Sequence, residues 1–349
     1  MIVANRALAH VLSGADDSFS EAAHTIAFPR AQGFLADRDE QRCDVFARAI
    51  IACALHRAQD VLGVRLDELL SRERDYLLGA RRTDGIGGWS YAPALAELPP
   101  DADDVAQVML ALLAADEREA IEVHAIPAAS ALLRDGALPN GGYRTWIVPR
   151  APTTDAQRLQ ATWIREAWGD TFDAEVTANF LYALGAYNVE RFADAIVSGA
   201  NAVASAQEPD GSWKSSWYHG PFYGTYMCLR LIAGIAPQHP SVASGTKFLL
   251  ASQRQDGSWG VGTRGDTLST ALALLGLHAS RSHGVRAAVA RGIAALDTAG
   301  DDYGLVPFIR MDLGRATGVP TATLTYASTT ITAAFVLEAA CAFFRSDLQ

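Results

Sequence analysis

Three of four consecutive residues are aspartates in the segment 101–104, where Asp101, Asp103 and Asp104 carry the carboxyls. Carboxyls this close repel one another's charge, so one of them can keep its proton and act as a Brønsted acid. The segment VAQVMLALLAA that follows is apolar and brings neither a base nor a nucleophile. An acid at the start of an apolar helix suits the protonation of an apolar substrate.

The same aspartates also fit a purely structural role. Asp is a preferred N-cap residue, and further acids in the first turn complement the dipole of the helix. Both interpretations predict a helix that begins near residue 103. They differ in whether the Asp103 side chain faces a dry cavity or is bound to neighbouring backbone amides.

Composition and charge limit the class of protein. Of 349 residues 50% are hydrophobic and 19% are charged, which allows a large buried core. The net charge is −10 and no block of Lys and Arg occurs, which argues against a nucleic-acid partner. The N-terminus does not resemble a secretory signal and no apolar stretch is long enough to cross a bilayer, so we expect a cytoplasmic protein that is at most peripheral to the membrane. The cysteines are scattered, and we expect buried free thiols.

Turns in which glycine precedes an aromatic residue recur along the chain, each followed by an apolar helical segment. Such self-similarity is typical of repeated supersecondary units, whereas β-strand signals are weak. The pattern predicts an all-α fold, a single domain over residues 1–349 that forms one α/α barrel of about six inner and five to six outer helices. We expect inner helices at 42–57, 103–115, 173–187, 223–235, 266–278 and 327–343, and outer helices at 66–80, 119–134, 190–206, 240–253 and 284–296.

The segment 144–172 is too long for a simple turn and contains Trp146, Trp163 and Trp168. Loops of this length are usually functional or disordered. The three tryptophans favour a functional loop, and we expect a flap over one end of the barrel.

Two turns share a sharper signature, QEPDGSW at 207–213 and QRQDGSW at 253–259. Both resemble the Q-W repeat of triterpene cyclases and their relatives. A Gln at this place can bridge backbone groups at a helix end, while the Trp packs beneath the start of the next helix. The resemblance implies a fold superfamily that also includes the β-subunits of protein prenyltransferases.

Four further signatures occur in one order: GGWSY at 87–91, DADDVA at 101–106, DAEVTAN at 173–179 and WYHGPFYGT at 217–225. Together they resemble the class II, protonation-initiated terpene cyclases, such as squalene-hopene cyclase and the β-domain of class II diterpene cyclases. The motif within its context is more specific than a lone D-x-D-D. The resemblance implies an intramolecular cyclase, an isomerase of terpenoid biosynthesis.

Two features depart from that family. Val105 stands where the family usually has Thr or Ser, so one hydrogen bond to the acid is in doubt. The chain also has room for one barrel only, whereas most relatives enclose the active site between two. The second wall of the cavity would then come from loops of this chain, from a second copy in a homodimer, or from a partner protein.

The resemblance assigns roles to individual residues. Asp103 would be the general acid that protonates a terminal alkene or epoxide of a polyprenyl chain, and Asp101 and Asp104 would hold it in its acidic geometry. Asn179 would orient the acid without changing charge, because an amide does not take up a proton. Aromatic rings would stabilise the carbocation, each contact contributing about 2 kcal/mol when desolvated. The candidates are Tyr91, Trp89, Trp217, Phe222, Tyr223 and Tyr226.

The substrate head group is open at this point. Asn179 and the single barrel favour a sesqui- or diterpenoid diphosphate, or a prenylated small molecule, over squalene. A diphosphate would be bound by cations at the same end of the barrel, with or without Mg²⁺, and no other cofactor or metal site is expected. The candidate cations are Arg81 and Lys214, with Arg82, Arg144 and Arg264.

Two other hypotheses stay open. A zinc-dependent prenyltransferase subunit would use the same barrel but needs Asp, Cys and His at one metal, and Cys228 is the only cysteine near a plausible site. A non-catalytic barrel could bind a prenyl lipid or serve as partner to another cyclase domain. In that case the aspartates would only cap a helix.

Overall fold

The protein, represented by a computed structural model, is predominantly helical. The structure describes residues 1–35, 38–83, 85–314, 318–319 and 322–346. The helices are α1 (Ile2–Ser13), α2 (Val45–Leu62), α3 (Asp67–Gly79), α4 (Ala102–Ala114), α5 (Arg118–His124), α6 (Ile126–Asp135), α7 (Asp155–Trp163), α8 (Ala174–Asn188), α9 (Ala193–Ser205), α10 (Phe222–Ile235), α11 (Pro240–Ala251), α12 (Thr267–Ala279), α13 (Arg286–Ala299) and α14 (Thr329–Ser346). The strands are β1 (His24–Ala27), β2 (Glu40–Cys43), β3 (Pro307–Leu313) and β4 (Ala322–Ala327).

Six of these helices of the described chain form a closed inner ring. In ring order they are α2, α4, α8, α10, α12 and α14; each packs on the next, and α14 packs on α2. They are apolar on most of their surface, and in α12 every residue from Leu268 to Leu277 is buried. A helix that is apolar all round must be covered on all sides. Here the ring and an outer layer cover it, which confirms the predicted α/α barrel.

The outer layer of the described chain consists of α1, α3, the pair α5 and α6, α9, α11 and α13. The predicted outer helix 119–134 is divided into two, because Pro127 lacks a backbone N–H and its ring clashes with the preceding turn. Helix α1 was not predicted. It packs against α14, α13 and α2, so it covers the seam where the ring closes.

Two short antiparallel hairpins were also missed by the sequence analysis. One pairs β1 with β2, and the other pairs β3 with β4. Strand β2 ends at Cys43, which moves the start of the first inner helix from the predicted residue 42 to Val45. Strand β4 likewise moves the start of the last inner helix from 327 to Thr329. Both hairpins therefore precede an inner helix.

Three buried tryptophans join inner helices to outer ones. Each indole N–H donates a hydrogen bond to a backbone carbonyl in the last turn of the preceding outer helix, and each side chain is fully buried. A buried indole needs such a partner. The pairs are Trp89 with Leu77 at 2.6 Å, Trp213 with Val203 at 2.7 Å and Trp259 with Leu249 at 2.7 Å.

The glutamines of the two Q-W-like turns bridge successive repeats. Gln207 donates from Nε2 to the carbonyls of Gly211 at 2.8 Å and Ser241 at 2.9 Å. Gln253 donates in the same way to Gly257 and Ala288. In each turn the amide thus connects the turn to the first turn of the next outer helix.

Candidate active site

Asp101 and Asp103 have different roles at the start of α4. Asp101 is the N-cap residue, and its Oδ1 accepts hydrogen bonds from the backbone N–H of Asp103 at 3.0 Å and of Asp104 at 2.9 Å. Capping is therefore the role of Asp101. The Asp103 side chain takes no part in it and lines a cavity at the N-terminal ends of the inner helices.

The two carboxylate oxygens of Asp103 have different partners. Asn179 of α8 donates from Nδ2 to Oδ1 at 2.6 Å. The Tyr218 hydroxyl donates to Oδ2. Behind Asn179, Arg230 of α10 donates from Nη2 to the Asn179 Oδ1 at 2.6 Å. Side chains from α4, α8, α10 and the loop before α10 thus meet at one buried carboxyl.

Burial sets the protonation state of these acids. It raises the pKa of Asp103 to about 7, while the hydrogen bonds from Tyr218 and Asn179 act in the opposite direction. Burial and the charge of Asp101 raise the pKa of Asp104 well above its usual range. Burial also raises the pKa of Asp101. A protonated Asp103 is consequently available near neutral pH.

The cavity in front of Asp103 is small and mostly apolar. Its volume is about 80 Å³, whereas cavities that hold drug-sized ligands usually measure about 300–1,000 Å³. Aromatic rings face it from several elements, and Tyr91 among them also shares a hydrogen bond of 2.8 Å with His24 Nδ1. The lining residues are Ile26, Phe28, Phe46, Tyr91, Leu98, Asp101, Asp103, Asp104, Thr145, Trp146, Trp168, Val176, Trp217, Tyr218, Ile309, Met311, Asp312 and Leu313.

Loops of the chain itself form the outer wall of the cavity. Ile26 and Phe28 come from the first hairpin and the residue after its first strand, and Ile309 from the second hairpin. Trp146 and Trp168 come from the predicted flap. The flap packs on the first hairpin through an aromatic cluster, in which Trp163 stacks on Phe34 with 4.3 Å between ring centroids. Of the three predicted sources of a second wall, the loops are present; a homodimer or a partner protein stays a prediction.

Two acids at the start of α8 hold the aromatic segment before α10. Asp173 Oδ2 accepts hydrogen bonds from the Thr145 hydroxyl at 2.6 Å and from the Trp217 indole at 2.8 Å. Glu175 Oε1 accepts from the backbone N–H of Ser216 and Trp217. These bonds fix Trp217 at the cavity wall, which explains the spacing of the acids in the DAEVTAN signature.

Six of the predicted site residues belong to this arrangement. Asp103, Asp101, Asp104, Tyr91 and Trp217 line the cavity, and Asn179 contacts the acid from behind. The geometry therefore brings together every predicted acid, the predicted orienting amide and two of the predicted aromatic residues.

The other predicted aromatic residues need correction. Trp89 is 0% exposed and is one of the three tryptophans bound to outer helices, so its position is structural. Tyr223 and Tyr226 point to the opposite side and line a second cavity. Phe222 packs beside Phe248 of α11. Among the described residues that form the wall at Asp103, none of these four occurs.

The predicted head-group cations do not line the described part of this cavity either. Arg81 donates to the carbonyl of Leu78, and Lys214 is exposed to solvent. Arg82 is buried and donates to the carbonyls of Leu95 and Leu98, so it supports the loop before α4. The remaining two candidates lie at the surface, Arg144 paired with Asp170 and Arg264 exposed.

Tyr218 is the main residue that the sequence analysis missed. It lies in the quoted WYHGPFYGT segment, directly after Trp217, but no spacing rule connects it to Asp103. Its contact depends on the second hairpin, since Tyr218 bridges to Ile309 and the His219 N–H donates to the Phe308 carbonyl. A sequence signal for that pairing would have been the alternation in β3.

The described residues also bear on metal binding and on membrane insertion. Within the described ranges, no group of three or more His, Cys, Asp and Glu side chains could hold a metal ion. No helix of the described residues is both long enough and apolar enough to span a bilayer.

Comparison with known proteins gives a consistent result. Residues 49–322 match the family described as squalene-hopene cyclase C-terminal domain. A copalyl diphosphate synthase of Streptomyces cyslabdanicus is 31% identical over 100 residues, a match that covers 26% of this chain and 19% of that protein. The chain thus matches about a fifth of the length of such curated relatives.

Two solved structures have a similar fold. The ent-copalyl diphosphate synthase of Streptomyces platensis superimposes with a TM-score of 0.61 at 25% identity, covering 85% of this chain and 50% of that one. A variant of the type II terpene cyclase MstE from Scytonema, in complex with its substrate geranylgeranyl dihydroxybenzoate, superimposes with a TM-score of 0.69 at 17% identity. The second match covers 98% of this chain and 97% of that one, so the two chains share one fold over almost their full length.

Proposed function

This chain belongs to the squalene-hopene cyclase C-terminal domain family, and we propose that it is a class II terpene cyclase in which Asp103 is the general acid. Asp103 protonates a terminal alkene or epoxide of a polyprenyl substrate. With an alkene, its π electrons form the new C–H bond as the O–H bond of the acid breaks; with an epoxide, the oxygen takes the proton and a C–O bond opens. The resulting carbocation starts cyclisation. The overall reaction is an isomerisation when the final carbocation loses one proton to a base or to water, after which Asp103 is protonated again.

The observation that carries this proposal is the position of the Asp103 carboxyl. It is only 6% exposed, lies at the edge of an apolar cavity, and keeps its proton near neutral pH because of burial. Alkene protonation needs a strong acid without competing water. Hydrogen-bond donors at both oxygens stabilise the carboxylate that remains after proton transfer and thereby strengthen the acid.

The aromatic rings of the cavity stabilise the carbocation. Tyr91, Trp217, Trp146, Trp168 and Phe46 face the space in front of Asp103. A desolvated cation over such a ring gains about 2 kcal/mol. Several rings around one cavity therefore stabilise positive charge at successive carbons and direct ring closure.

Among the two substrate classes, we favour a prenylated small molecule over a prenyl diphosphate. The described residues that line this cavity include the three carboxyls of the acidic motif and neither Arg nor Lys, a lining that disfavours a diphosphate. The fold shared with the Scytonema cyclase supports the same choice by analogy. The matched copalyl diphosphate synthases support the second class, and Mg²⁺ enters the proposal only with that class.

The cavity must widen before such a substrate can bind. At about 80 Å³ it holds only a few atoms of a prenyl chain, so the flap and the hairpins have to separate from the barrel. The aromatic cluster of Trp163, Trp168, Phe28 and Phe34 closes the flap onto the first hairpin. Opening of this cluster is the step that admits the substrate.

The experiment uses a panel of substrates in D₂O. Purified protein is incubated with geranylgeranyl dihydroxybenzoate, farnesyl diphosphate and geranylgeranyl diphosphate, the diphosphates with and without Mg²⁺, and products are analysed by mass spectrometry. We expect an isomer of at least one substrate, carrying one deuterium at the carbon that Asp103 protonates. Asp103→Asn should abolish the product, while Asp16→Asn, an exposed aspartate, serves as the control.

The same panel separates the alternative functions. A non-catalytic barrel would bind a prenyl compound equally well with and without Asp103→Asn and would give no isomer. A prenyltransferase-like subunit would purify with about one zinc per chain. Cyclisation that persists in Asp103→Asn would show that another residue is the acid.

A further inference from the structure

Arg230 lies behind the acid, on the side away from the substrate cavity. It is partly buried among Tyr182 and Tyr226, with its guanidinium carbon 4.1 Å and 5.2 Å from the two ring centroids. It also lines a second cavity, of about 510 Å³, which is formed by the C-terminal parts of the inner helices. The only polar side-chain oxygen for which a hydrogen bond from Arg230 is described is Asn179 Oδ1, at 2.6 Å.

This contact determines the orientation of the Asn179 amide. A guanidinium only donates hydrogen bonds, so the Asn179 atom that faces Arg230 must be the oxygen. The NH₂ group of Asn179 must then face Asp103, where it donates to Oδ1. Arg230 therefore keeps Oδ1 of Asp103 in the role of acceptor.

Only one oxygen of the neutral Asp103 carboxyl can then carry the proton. Oδ1 already accepts from an amide that cannot turn, so the proton belongs on Oδ2. There the Tyr218 hydroxyl can rotate from donor to acceptor, because a phenol has both functions. Tyr218 lines the substrate cavity and Asn179 does not, so Oδ2 is the oxygen on the substrate side.

We propose that Arg230 is a positioning residue of the acid: by fixing the amide of Asn179, it confines the proton of Asp103 to Oδ2, where it faces the substrate. The proposal rests on the proposed function of Asp103. In the reaction the Oδ2–H bond breaks and a C–H bond forms with the π electrons of the alkene. The negative charge left on Asp103 is then stabilised by Asn179, whose donor is held in place by the positive charge of Arg230.

The second cavity provides a route for testing this role. The two cavities have no lining residue in common in the described chain. Asp103 lines one of them and Arg230 lines the other, and Asn179 lies between these two residues and bonds to both. The mouth of the second cavity carries exposed residues such as Arg57, His278 and Arg281. A small ion can thus reach the position of Arg230 without entering the substrate cavity.

The experiment compares four variants by their kcat, KM and pH profile. Arg230→Gln replaces the donor by an amide that can also accept, so Asn179 can turn; we expect kcat to fall about 10- to 100-fold with KM within about twofold. Arg230→Lys, which only donates, should retain more activity than Arg230→Gln. Guanidinium ion at millimolar concentration should restore a large part of the kcat of Arg230→Ala, whereas the neutral isostere urea and sodium chloride should not. Arg57→Gln, which changes another arginine of the same cavity, is the matched control and should keep the parent kcat.

The pH profile gives a readout that packing alone would not change. Loss of the positive charge should move the basic limb of kcat to higher pH, because Asp103 then holds its proton more tightly. An Arg230→Gln variant with the parent kcat and the parent basic limb would overturn the proposal. So would an Arg230→Ala variant that folds but gains nothing from guanidinium.

Failure of the proposed function would look different. In that case the parent protein would give no isomer, or Asp103→Asn would still give it. If Arg230→Gln does not fold, Arg230→Lys and the guanidinium series on Arg230→Ala still decide the matter.

Discussion

The cavity at the N-terminal ends of the inner helices is lined by aromatic and aliphatic side chains and by the three carboxyls of the acidic motif. The cavity at the opposite ends is larger, about 510 Å³ against about 80 Å³, and is lined by Arg57, Arg230, Glu338, histidines and tyrosines. Both cavities lie inside the same ring of helices. The same fold thus creates a dry environment on one side of Asp103 and a charged one on the other.

This difference explains how one carboxyl can be protonated near neutral pH while the carboxylate that forms after proton transfer is still stabilised. Burial on the dry side raises the pKa of Asp103 to about 7, so that the proton is present near neutral pH. Arg230, reached through Asn179, favours the carboxylate after the proton has left. In the proposed reaction the substrate would meet the dry face, and the charged face would stay out of contact with the carbocation.

The largest expected effect on kcat comes from a comparison of two single variants, each of which removes one carboxyl from one of the two cavities. Asp103→Asn should lower kcat by about 10³- to 10⁴-fold, since general acid catalysis contributes up to that amount. Glu338→Gln removes the half-buried carboxyl of the charged cavity, and because Glu338 does not line the cavity at Asp103, kcat should stay within a few fold. Steady-state kinetics on both variants test this, and equal losses would mean that the two cavities do not differ in function.

The next comparison concerns two tryptophans of the same segment. Trp213→Phe leaves the Val203 carbonyl without its buried partner, so we expect the free energy of unfolding to fall by about 2 kcal/mol with unchanged product per folded molecule. Trp217→Phe removes a ring face and the bond to Asp173 at the cavity, and should change the product pattern. Denaturant unfolding and product analysis measure the two effects. A changed product from Trp213→Phe would contradict the structural role of that residue.

The free energy of unfolding should also depend on pH because Asp103 is buried in an apolar environment. Its pKa is about 7 in the folded protein and near 3.8 in the unfolded chain, so the folded state binds more protons between these values and loses stability as pH rises through that range. Asp103→Asn removes this loss. We expect the variant to be more stable than the parent by about 4 kcal/mol at pH 8 and by about 1.5 kcal/mol at pH 5, since one pKa unit corresponds to about 1.4 kcal/mol.

Unfolding curves at the two pH values provide the measurement. A gain that is the same at pH 5 and pH 8 would mean that it comes from packing. No gain at pH 8 would mean that Asp103 is not desolvated in the folded protein. Asp16→Asn, which changes an exposed aspartate, is the control variant.

Local patterns explain why much of the barrel and the acid could be predicted from sequence. The inner helices are apolar all round, and the DADDVA segment carries both a cap and an acid within four residues. Trp213 and Trp259 follow a glycine turn at a fixed distance from a glutamine. Trp89 also follows a glycine turn, although Thr83 stands at the position of the glutamine, and its buried indole is bound to Leu77 instead of lining the cavity at Asp103. A glycine turn directly before the tryptophan is the one local feature that all three structural tryptophans share.

The parts that were missed depend on contacts between distant segments. Strands β1 and β2 have four residues each, and twelve residues separate them, so neither strand has a strong signal of its own. Arg230 lies in the middle of an apolar helix, where nothing nearby shows that it reaches Asn179, 51 residues away. Such contacts form only when the ring of inner helices closes, and no local sequence pattern predicts them.

The smallest expected effect on kcat comes from a comparison of two neighbouring tyrosines, Tyr218 and Tyr223. Tyr218 contacts Asp103 Oδ2 on the dry side, whereas Tyr223 lines the charged cavity, although their ring centroids are only 3.9 Å apart. Tyr218→Phe should lower kcat about tenfold, because one hydrogen bond to a charged group contributes about 1.5–3 kcal/mol and part of it is already present with the neutral acid. Tyr223→Phe changes a ring of the same size and burial and should keep kcat within about twofold. If Tyr223→Phe were the more damaging variant, the boundary between the two cavities would pass in front of Tyr218, and Oδ2 would not be the oxygen that faces the substrate.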